Sequence, residues 1–330
     1  MLDSLAHASV AGILTECLHE TEAIFERQLA SDFPAVNDLC RHVERYRGKM
    51  LRPTLVILCG LAASKAPNER ASITERHCMV ACVAEMIHMA TLVHDDVLDE
   101  ASTRRRGATV NSLRGNETAV MLGDYLISNA FHLCSRVGEP AINLQFGEVT
   151  NTLCEGELIQ LHHRDDTSLD EPTYFEIIRR KTAVLVGACC RFGAALSGAP
   201  GTTVEALNRF GMAVGSAFQI QDDVLDLAGK EEVVGKSLGR DFAKGKMTLP
   251  LILLLAHGSS AERLCALDAI QAHDGRTLRD IAERSGALDM ARERAVAIVR
   301  SAREELDVLA ASPVRDLLHE LAERTVSREF

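Results

Sequence analysis

Long stretches of the chain place apolar residues three and four positions apart, the period of a helix with one buried face, and strand-like alternation is hard to find. On that pattern helices are predicted over residues 3–29, 35–46, 52–64, 71–99, 117–136, 139–163, 172–198, 203–227, 247–257, 259–270, 275–284, 287–308 and 312–327. The breaks fall at "SDFPA", "SKAPNE", "VGEP", "SGAPGTT" and "HGSS", where proline, glycine and small polar residues punctuate the pattern. Two further breaks are charged as well as polar, "EASTRRRGA" and "AGKEEVVGKSLGRDFAKGKMTLP". No interior stretch reads as a linker, so residues 1–330 are expected to form a single all-α domain.

The apolar pattern ends twice in the same five residues. "DDVLD" closes the run "AEMIHMATLVH" as Asp95, Asp96 and Asp99, and closes "FGMAVGSAFQIQ" as Asp222, Asp223 and Asp226. On a helix, residues three and four apart share a face, so each triplet gathers its carboxylates on one side, where like charges repel. One copy alone is equally well read as an acidic helix end turned to water. The nearly uncharged run before each copy speaks for a buried helix, and a carboxylate cluster on such a helix needs a cation. Hard oxygen ligands with room for water suit Mg2+ that also bridges phosphate oxygens.

Composition narrows the classes. A chain of 330 residues with 47% hydrophobic side chains can bury a sizeable core. With 36 basic and 47 acidic residues, a net charge of −11, it is not expected to bind nucleic acid in bulk. The ten cysteines form no CxxC pair and are read as small buried side chains in a reducing compartment, without disulfides. No basic leader with an apolar core opens the sequence, and no apolar run is expected to span a membrane. The expected location is cytoplasmic, with peripheral membrane contact left open.

Basic residues gather near both triplets. Lys49 and Arg52 stand in "GKMLRP", Arg104, Arg105 and Arg106 follow the first triplet, and Lys236, Arg240, Lys244 and Lys246 follow the second. Each cluster alone is an ordinary solvated surface; together with the carboxylates they suit two polyphosphate substrates. There is no Walker loop and no Ser-His-Asp order.

From Gly48 to Pro250 these motifs resemble the trans-isoprenyl diphosphate synthases, or polyprenyl synthetases, in content and order. The resemblance implies a helical bundle around a central cavity, Mg2+ as cofactor, isopentenyl diphosphate and an allylic diphosphate as substrates, and a homodimer. It assigns Lys49, Arg52, His77 and Arg105 to isopentenyl diphosphate and Arg104 to the allylic substrate. "RRKTAVL" resembles the Lys-Thr motif and gives Lys181 and Thr182 to the allylic side. Gln219, Lys236, Asp241 and Lys246 match the second motif and its downstream loop. Asp95, Asp96, Asp99, Asp222, Asp223 and Asp226 are then the metal ligands. Two departures, Arg106 where many relatives have glycine and Met89 for a common threonine, touch none of these assignments. His88 and His94 are read as core or supporting histidines, and Glu155 and Glu157 of "CEGEL" as residues facing the site or an interface.

The reaction so implied is head-to-tail condensation: the allylic diphosphate ionises, the Thr182 and Gln219 oxygens meet the cation, and isopentenyl diphosphate attacks it. A class I terpene cyclase would bind one substrate, whereas two complete triplets with Lys49 and Arg52 suit two; a noncatalytic partner subunit would have lost aspartates, and none is lost. A short-chain farnesyl or geranylgeranyl synthase is the remaining alternative. Small residues, Ala90 and Thr91, lie one turn below the first triplet, roughly 6–7.5 Å along the axis. Family members with short products carry a bulky aromatic there. The expected product is therefore medium or long, with its limit set deeper, near Met86, Ile87 or Phe131.

Overall fold

The computed structural model describes residues 8–44, 46, 48–105, 107–228 and 240–327. Helices dominate them: α1 (Ala8–Leu29), α2 (Pro34–Glu44), α3 (Leu51–Ala63), α4 (Glu75–Leu98), α5 (Val110–Arg114), α6 (Asn116–Arg136), α7 (Pro140–His162) and α8 (Glu171–Ile178) come first. They are followed by α9 (Val184–Leu196), α10 (Gly201–Ala228), α11 (Arg240–Ala243), α12 (Leu249–His257), α13 (Ser260–Gln271), α14 (Gly275–Arg284), α15 (Ala287–Glu304) and α16 (Pro313–Val326). The predicted all-α class stands. A two-residue ribbon, Thr103–Arg104 paired antiparallel with Gly107–Ala108, and the short helix α5 fill the first charged break, which sequence reading left as loop.

The described chain divides into two compact units. Unit 1 is residues 1–150, 185–211 and 306–318; unit 2 is residues 151–184, 212–305 and 319–330. The divisions at 150/151 and 211/212 fall inside α7 and α10, and no Pro- or Gly-rich linker marks either of them.

In unit 1, α4 packs against α1, α3 and α6. Its residues Cys78, Val80, Ala81, Cys82, Val83, Ala84, Met86, Ile87, Met89 and Ala90 are wholly buried. At about 1.5–3 kcal/mol for each large apolar side chain taken from water, this helix is the main source of the unit's stability. It is also long and apolar enough by composition to cross a bilayer, contrary to the expectation from sequence, but 72% of its most apolar window is buried inside the protein, as a core helix requires. α9 comes close to α3 because residue 193 is glycine: a Cβ there would lie 2.2 Å from the Val56 carbonyl oxygen. The start of α4 was predicted near 71; it begins after Thr74, which forms a capping box with His77 in place of the usual Glu or Gln.

In unit 2, α12 is the buried element. Leu249, Leu251, Ile252, Leu253 and Leu254 are at most 4% exposed, and the helix packs on α8, α13, α14 and α15. Between α8 and α9 the helix does not break but widens into one π turn, Arg179–Ala183. Such turns mark places where a helix admits an extra residue, often at functional sites. All ten cysteines are free thiols, eight of them buried.

Candidate functional site

The first triplet ends α4. Asp95 and Asp99 are half-buried while Asp96 is 1% exposed, so the helix turns its middle carboxylate inward and leaves the outer two nearer the surface. The helix stops in a Schellman turn: Ala101 N donates to Asp96 O (2.8 Å), Glu100 N donates to Val97 O (3.1 Å), and Glu100 takes φ 47°. Three carboxylates thus sit at the end where the helix dipole is itself negative, an arrangement that favours a bound cation. The ribbon folds back over the turn, and Arg104 Nε donates to Asp96 Oδ1 at 2.9 Å. Asn111 Nδ2 donates to both Asp96 O and Ala101 O at 3.1 Å, fixing α5 against the same turn.

Around this end of unit 1 the basic residues are placed unequally. Lys49 is exposed. Arg52 stands on the first turn of α3 with its Nε buried and without a hydrogen-bond partner in the structure. Burial pulls its guanidinium below the ordinary value, and Glu85 holds it up. Arg105 lies against Gly48, where a Cβ would come within 2.5 Å of Arg105 Nη2, so a larger residue there would shift that guanidinium. Burial, with Arg52, Arg105 and Arg104 beside it, keeps the His88 ring well below 6.5 and hence neutral.

This corrects the histidine assignment. His77 is wholly buried; its Nδ1 accepts from Thr74 N (3.2 Å) in the capping box and its Nε2 lies 3.1 Å from Ser197 Oγ. Burial lowers it to about 4. It is a structural residue with no ring atom free for a ligand. His88, which sequence reasoning set aside as a core histidine, is the one that faces the arginines, and the signal was available: it lies seven residues before Asp95, two helical turns along the same face. His94 instead lies 3.1 Å from Val120 O.

The second triplet ends α10 in unit 2. Again the outer members, Asp222 and Asp226, are half-buried, and the middle one, Asp223, is 4% exposed. Here the donors are a phenol and an amide. Tyr174 Oη donates to Asp223 Oδ2 (2.7 Å) and Gln219 Nε2 to Asp223 Oδ1 (2.8 Å). Burial, with Asp241 and Asp222 nearby, pushes the Asp223 carboxyl up to about 8 against those two hydrogen bonds. Asp226 Oδ2 accepts from Asp241 N (3.0 Å), and Lys246 Nζ lies 3.5 Å from Asp241 Oδ1. Lys236 lies outside the described residues.

Asp96 and Asp223 were expected to be metal ligands like their neighbours. The structure buries both against protein donors, while Asp95, Asp99, Asp222 and Asp226 are half-buried.

The π turn presents Lys181 and Thr182. Thr182 Oγ1 donates to Gln219 Oε1 (3.0 Å). Lys181 Nζ donates to Gln160 Oε1 (2.8 Å) and pairs with Glu157 of α7. α7 passes this close because residue 156 is glycine, whose Cβ would lie 2.7 Å from Lys181 N. Glu157 is therefore the counter-ion of Lys181, while Glu155 pairs with Arg180. Below the first triplet Ala90 is wholly buried and Thr91 half-buried, with Met86 and Ile87 wholly buried one turn deeper.

The family model described as Polyprenyl synthetase matches residues 33–284. The octaprenyl diphosphate synthase of Escherichia coli K12 is 34% identical over 311 residues, 93% of this chain and 94% of that one. Heptaprenyl diphosphate synthase component 2 of Geobacillus stearothermophilus is 36% identical over 329 residues, 96% of this chain and 97% of the relative. Among solved structures, a polyprenyl synthase of Caulobacter crescentus CB15, complexed with calcium and isoprenyl diphosphate, superposes with a TM-score of 0.87 at 32% identity, covering 99% of this chain and 96% of that one.

Proposed function

Because the chain belongs to the polyprenyl synthetase family, we propose that it condenses isopentenyl diphosphate head-to-tail with an allylic diphosphate, giving an all-trans polyprenyl diphosphate of medium or long chain. It is a prenyltransferase. One observation carries the chemistry: each of two identical triplets lies at the end of a helix with its first and last carboxylates half-buried and its middle one fully buried against protein donors.

Those outer pairs, Asp95 with Asp99 and Asp222 with Asp226, fit Mg2+. They are hard oxygen donors at negative helix ends, and among the described residues no three such side chains close into a cage of their own. Mg2+ is commonly held by one or two carboxylates together with substrate phosphate oxygens. When bound it supplies the charge that stabilises a departing diphosphate. Lys181 and Lys246 add cationic charge for the allylic diphosphate, and Arg52, Arg105 and His88 recognise isopentenyl diphosphate, His88 as a neutral hydrogen-bonding ring. Thr182, its proton held by the Gln219 carbonyl, directs its oxygen lone pairs at the allylic carbon as its C–O bond ionises. The isopentenyl double bond then attacks that carbon, and the released diphosphate takes the proton lost on forming the new double bond.

Mg2+, isopentenyl diphosphate and a farnesyl or geranylgeranyl primer are incubated with the pure protein and the product is sized. Extension beyond the primer by several units supports the reading; a product that stops at farnesyl or geranylgeranyl diphosphate refutes the chain length. Ala90→Tyr is expected to shorten the product, since a ring has no room in a packed interior without blocking what lies below it. The same reading takes the protein to be a cytoplasmic homodimer, with peripheral membrane contact for an apolar product. Met121 and Leu144 of unit 1, 64% and 67% exposed, suit a covered surface. Light scattering at twice the chain mass of 35.9 kDa would support the dimer, and a monomer mass would refute it.

A further inference from the structure

Four side chains of unit 2 form an unbranched series of hydrogen bonds. Tyr174 Oη donates to Asp223 Oδ2, Gln219 Nε2 donates to Asp223 Oδ1, and Thr182 Oγ1 donates to Gln219 Oε1. Its polarity is dictated by what each group can offer. Asp223 Oδ1 accepts whether the carboxyl is ionised or carries a proton on the Oδ2 it shares with Tyr174. Gln219 must therefore turn its NH2 to Asp223, which leaves its carbonyl facing Thr182. The single Thr182 proton then goes to that carbonyl, and the lone pairs of Oγ1 point away from Gln219. Flipping the Gln219 amide would set its oxygen against Asp223 Oδ1 and spoil both contacts. Tyr174 and Asp223 are 3% and 4% exposed, whereas Gln219 and Thr182 are half-buried, so the series runs from a buried anchor to an accessible end.

We propose that Tyr174 is a positioning residue for prenyl transfer: by holding Asp223 it fixes the Gln219 amide, and through that amide the direction in which Thr182 presents its oxygen to developing positive charge. The inference rests on the prenyl-transfer reading above. Tyr174 itself touches no reacting atom. Dipoles stabilise a transition state in proportion to how firmly they are aimed beforehand, and hydrogen bonds in series polarise one another, so an anchor can matter to the far end.

The test is a double-mutant cycle on the full chain with Mg2+, isopentenyl diphosphate and farnesyl diphosphate. Tyr174→Phe removes one hydroxyl and Thr182→Val the other end of the series. Tyr174→Phe is expected to lower kcat about 10- to 100-fold, the usual effect of losing an outer partner in such a site. The KM for isopentenyl diphosphate is expected to stay within about twofold, because the lost interaction acts in the transition state. With Thr182→Val already in place, Tyr174→Phe is expected to cost little more, since a broken series cannot be broken twice. Unchanged kcat in Tyr174→Phe, or strictly multiplicative losses in the double variant, overturns the inference. Should Tyr174→Phe fail to give a cooperative unfolding transition, Asp223→Leu keeps the branched shape, removes both acceptors from the series and carries the same cycle with the same two outcomes. A wild type that makes no condensation product overturns the functional reading and this inference together; an active wild type with an indifferent Tyr174→Phe overturns the inference alone.

Discussion

The pentapeptide that ends α4 and the identical one that ends α10 share a secondary structure and a burial pattern, yet their middle carboxylates live in different electrostatic worlds. Asp96 is met by a guanidinium from the following ribbon, a charged donor 2.9 Å away, and by the Tyr46 hydroxyl. Asp223 is met by a phenol and an amide, with Asp241 and Asp222 nearby, and burial pushes it up to about 8. The difference comes from what the next segment brings back. Beyond α4 comes a tight ribbon carrying Arg104; facing α10 stands α8 with Tyr174. Both carboxylates meet a phenol, and what separates them is the guanidinium beside Asp96 where Asp223 has an amide and further carboxylates.

The largest expected effect breaks the first arrangement. Arg104→Ala leaves Asp96 buried without its counter-charge, and stripping one partner from a buried pair costs about 3–5 kcal/mol. Urea unfolding measures it; a loss below about 1 kcal/mol, the range of an exposed pair, would mean that Asp96 is solvated in this protein. Asp96→Asn combined with Arg104→Ala is expected to recover part of the loss, because no buried charge is then left. Next come the outer carboxylates. Asp95→Ala and Asp222→Ala are each expected to lower turnover by about 10²–10³, the size of a lost electrostatic donor, about 2.7–4 kcal/mol. Both variants are expected to unfold no more easily than wild type, since each relieves repulsion at a negative helix end. Near wild-type turnover in saturating Mg2+ and substrate would remove that residue from the metal site.

pH sharpens the contrast within unit 1. His77 must stay neutral for Nδ1 to accept from Thr74, and burial holds it at about 4 in the fold against 6.5 when unfolded. The unfolded chain binds the proton first as pH falls, so stability is full above about 6.5 and is lost progressively down to about 4, on the order of 3 kcal/mol in all. A chemical denaturation series over that window should show the slope in wild type and a shallower one in His77→Gln. Parallel slopes would show that other groups, not His77, govern acid sensitivity.

How far the sequence foretold all this depends on which residues interact locally. The α class and the two triplets were legible, because each is a run of neighbours on one helix; Lys181 and Thr182 came from the resemblance of their motif, and the π turn that carries them lay inside a helix read as unbroken. The inward turn of Asp96 and Asp223 was not, since it follows from partners 8 and 49 residues away, Arg104 and Tyr174. The exchange of His77 for His88 had a local signal, heptad spacing to Asp95, that was outweighed by the apolar surroundings of His88. The true start of α4 was hidden by a capping box that uses histidine at its third position. The ribbon and α5 are too short for any period to reveal; what orders them is Asn111 and Thr109 bonding back to the end of α4.

The smallest expected effect concerns the turn that ends α4. Its left-handed position is filled by Glu100 at φ 47°, where glycine is the usual occupant. An L side chain in that conformation costs roughly 1–2 kcal/mol. Glycine would remove that cost but add about 0.5–1 kcal/mol of unfolded-chain entropy to be lost on folding. It would also delete a like charge beside Asp95, Asp96 and Asp99, a further few tenths of a kcal/mol in favour of the fold. Glu100→Gly is therefore expected to stabilise the protein slightly, by about 0.5–1 kcal/mol in urea unfolding. Glu100→Gln separates the two causes, because it removes the charge and keeps the strain, so its gain should be the smaller. If Glu100→Gln gains as much as Glu100→Gly, the turn is strained electrostatically and not sterically; if Glu100→Gly destabilises, the two hydrogen bonds that close the turn depend on a contact of the Glu100 side chain.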